Sequence, residues 1–393
     1  KSGANKLEPI KLIPAGDLVG NLKSYVREDV VPEIKFSVEN VLPSQIKIDD
    51  NSNFTVSDLE VDTKYKVRIE ASGYSAREYF VTLKEGENSI LELKLVEEGT
   101  VFFNSAESKL VTSSLDGFLV KDTGGISPYN ISLSGDSKKV FFQSQYKRIN
   151  SLGTKPVGII YFFDTELESI TQVTQNMSGL GDIFPSYNAG LLYSVPRESS
   201  QTRTLLIADL TGNNRVEVKQ IDSKAIISGG NFSIDKKYFY FAEKINSSST
   251  IYQYNLETKE LLALDTAQEH ILWDINTEGK ILFSRQVNSI YQLAFFDPLS
   301  SQIVVVKDRI EGQNFLFMQN NPDIILFFNN VVRAELKKID ITSFTESEIF
   351  FLSGSDKFET LFEQGSFWFY KTSNKLYVFD LNTPLIYKKV ADL

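Results

Sequence analysis

A chain of 393 residues is long enough for two or three domains or for one large repeat architecture. Its net charge of −10 sets the surface against nucleic acid, whose phosphates it would repel. Cysteine is absent, which removes thiol catalysis, zinc–thiolate sites and disulfides together, while 29 Phe and 17 Tyr against 2 Trp favour strands over helices.

Residues 1–31 carry Pro9, Pro14, Gly16 and Gly20 with scattered charge and no sustained period, so they read as an N-terminal linker or arm. The opening "KSGANKLEPIKLIPAG" reads as a cut point within a longer protein, with an upstream signal or anchor expected. From 32 to 98 the pattern changes. "IKFSVEN", "SQIKID", "NFTVSDL", "KYKVRIEA", "REYFVTLK" and "SILELKL" alternate apolar and polar residues between turn formers, as strands of a small antiparallel β-sandwich do.

One stretch of this region, "DDNSNFTVSDLE" from Asp49 to Glu60, has the oxygen pattern of a calcium loop, with Asp49, Asn51, Asn53 and Glu60 as the candidate ligands. Its sixth position is Phe54, where such a loop needs glycine at positive φ, and its flanks alternate with period two rather than forming helices. The calcium reading is therefore disfavoured, and a hairpin tip is expected in its place. No other metal site and no cofactor are expected.

The segment "YKVRIEASGYSAREYFVTLKEGENSILELKL" resembles the second half of a PEGA domain, a small β-sandwich of bacterial surface and envelope proteins. The resemblance rests on Ala71, Gly73, Tyr74 and Gly86. The first half departs from that family, because its usual Gly-x-Thr-Pro is missing.

From 99 to 393 the chain repeats. Seven aromatic-rich segments occur: "TVFFNS", "KVFFQS", "GLLYSV", "YFYFAE", "KILFSR", "IILFFN" and "FWFYK". Most are followed by a second strand that ends in Asp164, Asp209, Asn255, Asp297, Asp340 or Asp380, at spacings of 45, 46, 42, 43 and 40, and Asp122 extends the series backwards by 42. A four-stranded propeller blade consumes about 40–45 residues. Polar turns such as "SIDKK" and "NTEGK" precede the aromatic strands, and turns such as "NLETKE" and "DPLSSQ" follow the second ones. The expected fold is all-β, a small antiparallel sandwich followed by a β-propeller of seven blades, with six as the alternative.

The turns in "LSGDSKKVFF" and "YNLETKEL" resemble those of Tol-type and WD-like propeller repeats of bacterial periplasmic and surface proteins, although the family glycines are mostly replaced. That resemblance implies an extracytoplasmic protein, in the periplasm or at the cell surface, and the opening read as a cut point adds the expectation of a membrane anchor in a missing N-terminal segment.

Catalytic signals are missing. His270 is the sole histidine, so metal sites built on two or three histidines are impossible, and no Gly-x-Ser-x-Gly elbow exists for it to serve. A surface or blade-junction histidine is the expected role. No catalytic residue is assigned, and the function expected is non-enzymatic: an envelope or surface scaffold that presents a propeller face to a protein or glycan partner. The alternative is a hydrolase or lyase using acidic residues in an axial pocket.

Overall fold

The computed structural model describes residues 15–31, 33–84, 90–105, 107–126, 128–133, 139–148, 155–172, 182–186, 191–195, 202–209, 214–222, 224–233, 235–318, 320–354, 356–364, 367–381 and 387–393. The chain divides into two compact units. The first holds Lys1–Gly99 with Ser114–Phe118 and Ile386–Lys388, and the second holds the remainder.

In the first unit the strands are β1 (Ala15–Asn21), β2 (Lys35–Val38), β3 (Ile46–Ile48), β4 (Asn53–Glu60), β5 (Lys64–Glu70), β6 (Tyr74–Ser75), β7 (Arg77–Thr82), β8 (Ile90–Glu92) and β9 (Val96–Glu97). One sheet runs β3-β4-β1-β8, a second runs β2-β5-β7, and β6 pairs with β9. Alternation does what it should: β4 buries Phe54 and Val56, and β5 buries Tyr65, Val67 and Ile69, into one core with Leu18, Val38 and Val81. Every strand expected from the alternation between 32 and 98 is present.

Two findings depart from expectation. Ala15–Asn21, expected as part of an arm, is β1, an interior strand of the four-stranded sheet, and Leu18, Leu22, Val26 and Val31 of the same segment are buried. A register shift between Gly16 and Leu18 breaks its period, which is why alternation missed it. The sheet is also mixed rather than antiparallel, since β1 and β8 run parallel.

The second unit is a β-propeller. Among the described residues its first sheet has three strands, β10 (Thr100–Asn104), β11 (Lys109–Ser114) and β12 (Val120–Ile126). Six four-stranded meanders follow. The second sheet is β13 (Pro128–Leu133), β14 (Lys139–Arg148), β15 (Lys155–Asp164) and β16 (Ser169–Gln172); the third is β17 (Asp182–Ser186), β18 (Leu191–Val195), β19 (Thr202–Asp209) and β20 (Val216–Asp222). The fourth is β21 (Ile226–Phe232), β22 (Tyr238–Ile245), β23 (Ser248–Asn255) and β24 (Leu261–Ala267); the fifth is β25 (Glu269–Ile275), β26 (Ile281–Val287), β27 (Ile290–Asp297) and β28 (Gln302–Asp308). The sixth is β29 (Gln313–Met318), β30 (Asn321–Asn329), β31 (Glu335–Asp340) and β32 (Thr345–Phe351); the seventh is β33 (Thr360–Gln364), β34 (Phe367–Thr372), β35 (Lys375–Phe379) and β36 (Tyr387–Asp392).

The cores lie between successive sheets. On β22, Phe239 and Phe241 pack towards the third sheet, while Tyr240 and Ala242 pack towards the fifth. Both faces of a second strand are thus covered, which is why these strands read as continuous apolar runs. "TVFFNS" is the exception, because it forms β10, the first strand of its sheet rather than the second. The Phe102 amide of β10 donates to Oε1 of Gln364 on β33 at 3.1 Å, joining the first sheet to the last.

The repeating acidic residue is explained by the turn that follows it. Asp164 Oδ1 accepts the amides of Glu166 and Leu167, Asn255 Oδ1 those of Glu257 and Thr258, and Asp340 Oδ1 those of Thr342 and Ser343, all between 2.8 and 3.1 Å. Asp297 accepts the Leu299 amide and the Ser300 hydroxyl. Each closes an Asx-turn between third and fourth strands. Four residues after each one the chain turns left-handed, at Glu168, Lys259, Ser301 and Phe344, with φ of 49, 64, 55 and 55°. Asp122 differs: it lies within β12, accepts the Gly124 amide and pairs with Lys109.

Left-handed backbone is costly for any residue with a Cβ. Ser301→Gly is therefore expected to stabilise the propeller by about 0.5–1 kcal/mol, net of the extra freedom glycine has when unfolded. Chemical denaturation of wild type and variant checks this, and a destabilised variant would contradict it.

Candidate functional site

The calcium-like stretch is a hairpin tip. Asp49 Oδ1 accepts the amides of Asn51 and Asn53 at 2.9 and 2.8 Å, and its Oδ2 accepts Asn53 Nδ2 at 2.8 Å. These bonds, that from the Asn53 side chain foremost, hold the Asp49 carboxyl below its usual range. Asn53 Oδ1 in turn accepts Asn21 Nδ2 of β1 at 2.8 Å, so the polar atoms of the tip also tie β4 to β1. Glu60 stands at the other end of β4, seven residues and about 23 Å away along the strand. Phe54, in the place a loop glycine would take, is a core residue only 1% exposed and packed on Phe36 at 4.7 Å. The structure brings Asp49, Asn51 and Asn53 together and leaves Glu60 apart.

The hallmark residues of the sandwich also have local roles. Gly73 adopts a φ of +80° between Ala71 and Tyr74, and the Tyr74 amide donates to the Ala71 carbonyl at 3.2 Å. Nothing lies within 4 Å of where a Cβ would stand, so backbone conformation alone demands the glycine. Gly86 lies outside the described residues.

His270 stands at a blade junction. Its side chain has no exposure, and Nε2 lies 3.1 Å from Oδ2 of Asp265 on β24 of the preceding sheet. Arg285 donates to the same oxygen at 3.0 Å. Burial pushes the Asp265 carboxyl up, but the bonds from His270 and Arg285 outweigh it and leave the group below its usual value. His270, Arg285, Gln292 and Asp308 are successive register partners across β25 to β28, and Arg285 Nε donates to Gln292 at 3.0 Å while Gln292 Nε2 donates to Asp308 at 2.6 Å.

The junction between the third and fourth sheets uses the same two places with the signs reversed. Lys219, opposite the fourth residue of its third strand as Asp265 is, pairs with Glu243, which occupies the place of Arg285. Glu243 is 4% exposed, and the Lys219 ammonium also sits 3.8 Å from the Tyr252 ring centre. No sequence motif announced these pairs, because each partner lies in a different repeat.

Two features with functional potential were not legible in the sequence. The first is Asp274, expected only as part of an inner strand. Its Oδ2 accepts the amide of Phe317 on β29, and Oδ1 that of Ile275, both at 2.8 Å. The second is the connection between β30 and β31. The β22–β23 hairpin turns through Asn246 and the β26–β27 hairpin through Asn288 and Ser289, all at positive φ, as two-residue turns require. The sixth sheet instead inserts residues 330–334, on which Val331 and Val332 are 66% and 94% exposed. Asn330 anchors this loop by donating to the Phe358 carbonyl at 2.7 Å and accepting the Phe358 amide at 3.1 Å. Beside it the Arg333 guanidinium stacks 4.4 Å from exposed Phe351 and binds Glu335 and Glu348 at 2.5 Å.

No family model and no curated protein sequence matches this chain. Solved structures do resemble it. An oligogalacturonate lyase from Vibrio parahaemolyticus aligns with a TM-score of 0.50 at 12% identity, over 75% of this chain and 85% of that one. The tricorn protease aligns at 0.53 and 9% identity, over 92% of this chain and 43% of its own. A prolyl endopeptidase aligns at 0.50 and 12% identity, over 85% and 49%. These likenesses support the propeller fold and, at such identities, the fold alone.

Proposed function

We propose that this chain is a non-enzymatic binding protein of a bacterial envelope or cell surface, presenting one end of its propeller to a protein partner. The observation that carries the reading is the loop 330–334. Two valines stand in solvent on a segment clamped by Asn330 and flanked by the Arg333–Phe351 stack, and burying such side chains against a partner is favourable. Arg333 is already committed to two carboxylates, so the knuckle presents apolar surface without an unpaired charge. The Gly73–Tyr74 turn supports reading the first unit as PEGA-like.

The second reading is a hydrolase or lyase acting through acidic residues at the axis. On its side stands Asp274, an innermost-strand carboxyl that burial pushes up to about 7.

A photoreactive residue at position 332, with one at Leu299 as a control of similar exposure, separates the two in an envelope extract. The binding reading expects a defined adduct from 332 and none from 299. Equal labelling at both positions, or turnover of an envelope glycan by the intact chain together with no adduct at 332, would overturn it.

A further inference from the structure

Six of the seven propeller sheets begin with an inner strand, which pairs antiparallel with the aromatic second strand. The first sheet, β10-β11-β12, matches the second, third and fourth strands of the others rather than their first three. Its Phe102 packs with Val140 and Phe142 of β14, a second strand, as Tyr240 and Ala242 of β22 pack with Ile281 and Phe283 of β26. The turn between β11 and β12 is of the kind that joins third to fourth strands, since Asp116 Oδ1 accepts the Phe118 amide two residues on, at 3.3 Å. A single residue separates β12 from β13, just as one separates the outer strand β24 from the inner strand β25. β12 also lies against the outer strand β16, where Lys121 pairs with Glu168.

Among the described residues, therefore, no strand takes the inner place beside β10. Chain order gives the reason: β9 of the first unit comes directly before β10, so the chain enters this sheet at its second strand. A side chain meets the inward edge of β10 instead, for the Phe102 amide donates to Oε1 of Gln364 on β33. Alternation sends the Thr100 and Asn104 amides to the same edge, and both residues are exposed. Phe362 shares a face of β33 with Gln364, while Glu363 shares the opposite face with Leu361 of the sixth–seventh core. β10 and β13 carry no charged residue. A strand entering here meets backbone, Gln364 and Phe362, and a charge brought in would face no opposite charge from these strands.

We propose that this edge is an acceptor site for an extended, uncharged segment of a partner protein, which adds antiparallel to β10 as the inner strand of the first sheet. Main-chain hydrogen bonds hold such a segment, with a carbonyl of the added strand replacing Gln364 at the Phe102 amide. A second copy of this chain has no described strand to lend, since each already belongs to a sheet. The site is separate from the knuckle at 330–334, which belongs to the sixth sheet.

The probe is a synthetic peptide with the sequence of an uncharged inner strand of this chain, Gly312–Gln319, blocked at both ends and added to the intact protein while amide exchange is followed residue by residue. At about ten times its dissociation constant it is expected to slow exchange at Thr100 and Asn104 about tenfold. The same peptide with its backbone amides methylated keeps its side chains but cannot pair as a strand, and is expected to protect neither. Absence of protection by the unmodified peptide at millimolar concentration, or equal protection by both peptides, overturns the proposal. So does protection of Thr100 and Asn104 in the intact protein without peptide, which would show the edge filled from within the chain.

Discussion

Replacing Lys219 with methionine is expected to lower the stability of the propeller by about 3–5 kcal/mol, the cost of stranding a buried charge. Its partner Glu243 is 4% exposed, on a strand covered by sheets on both sides. Methionine preserves the length of the Lys219 side chain over the Tyr252 ring but removes the ammonium that, among the described residues, pairs with Glu243. Removing both charges, as in Lys219→Met with Glu243→Gln, is expected to recover most of the loss, because desolvation is then no longer uncompensated. Denaturant midpoints of the wild type, both single variants and the double variant form the test. A loss below about 1 kcal/mol in Lys219→Met would show that the pair behaves as an exposed one.

The same junction logic applies one sheet further on, with the signs exchanged. Asp265 stands where Lys219 stands, and Arg285 where Glu243 stands. A third sheet set against the fifth would place Lys219 beside Arg285, two like charges in a water-poor seam. The reversal thus opposes that misordering of the sheets.

Phe54→Ala should cost the first unit about 3–5 kcal/mol, the range for emptying a fully buried aromatic site. In a unit of about a hundred residues that is a large part of the total stability, by the usual range of 5–15 kcal/mol for a domain. Phe54 sits between β3 and β1 in its sheet and touches Phe36 of the other sheet, so the cavity would open both layers at once. Thermal unfolding followed by calorimetry should show an early transition in the variant. An unchanged profile would contradict the placement of Phe54 in the core.

Much of this was legible in the residues. Alternation located β2, β3, β4, β5, β7 and β8, since a half-buried strand exposes every second side chain. The spacing of Asp164, Asn255, Asp297 and Asp340 located the repeat, because each makes the same turn through bonds to its own near neighbours. Such contacts are short in sequence, and their chemistry shows in the local string. Phe54 shows as a strand residue in the same local string, flanked by the polar turn Asp49–Asn53 and the alternating residues of β4.

What sequence alone determined about this protein is therefore periodic or local: an all-β chain, an alternating sandwich, a propeller repeat and its turns. The tertiary structure decided the rest. Only pairing showed that the Gly-broken segment Ala15–Asn21 is an interior strand, that "TVFFNS" is the first strand of its sheet, and that Trp273 bulges and carries Asp274 to β29. Only packing matched Lys219 with Glu243 and Asp265 with His270 and Arg285. The reason is physical. A turn or an alternation is written in neighbours along the chain, whereas a buried charge takes its meaning from a partner that only the closed sheets bring within 4 Å.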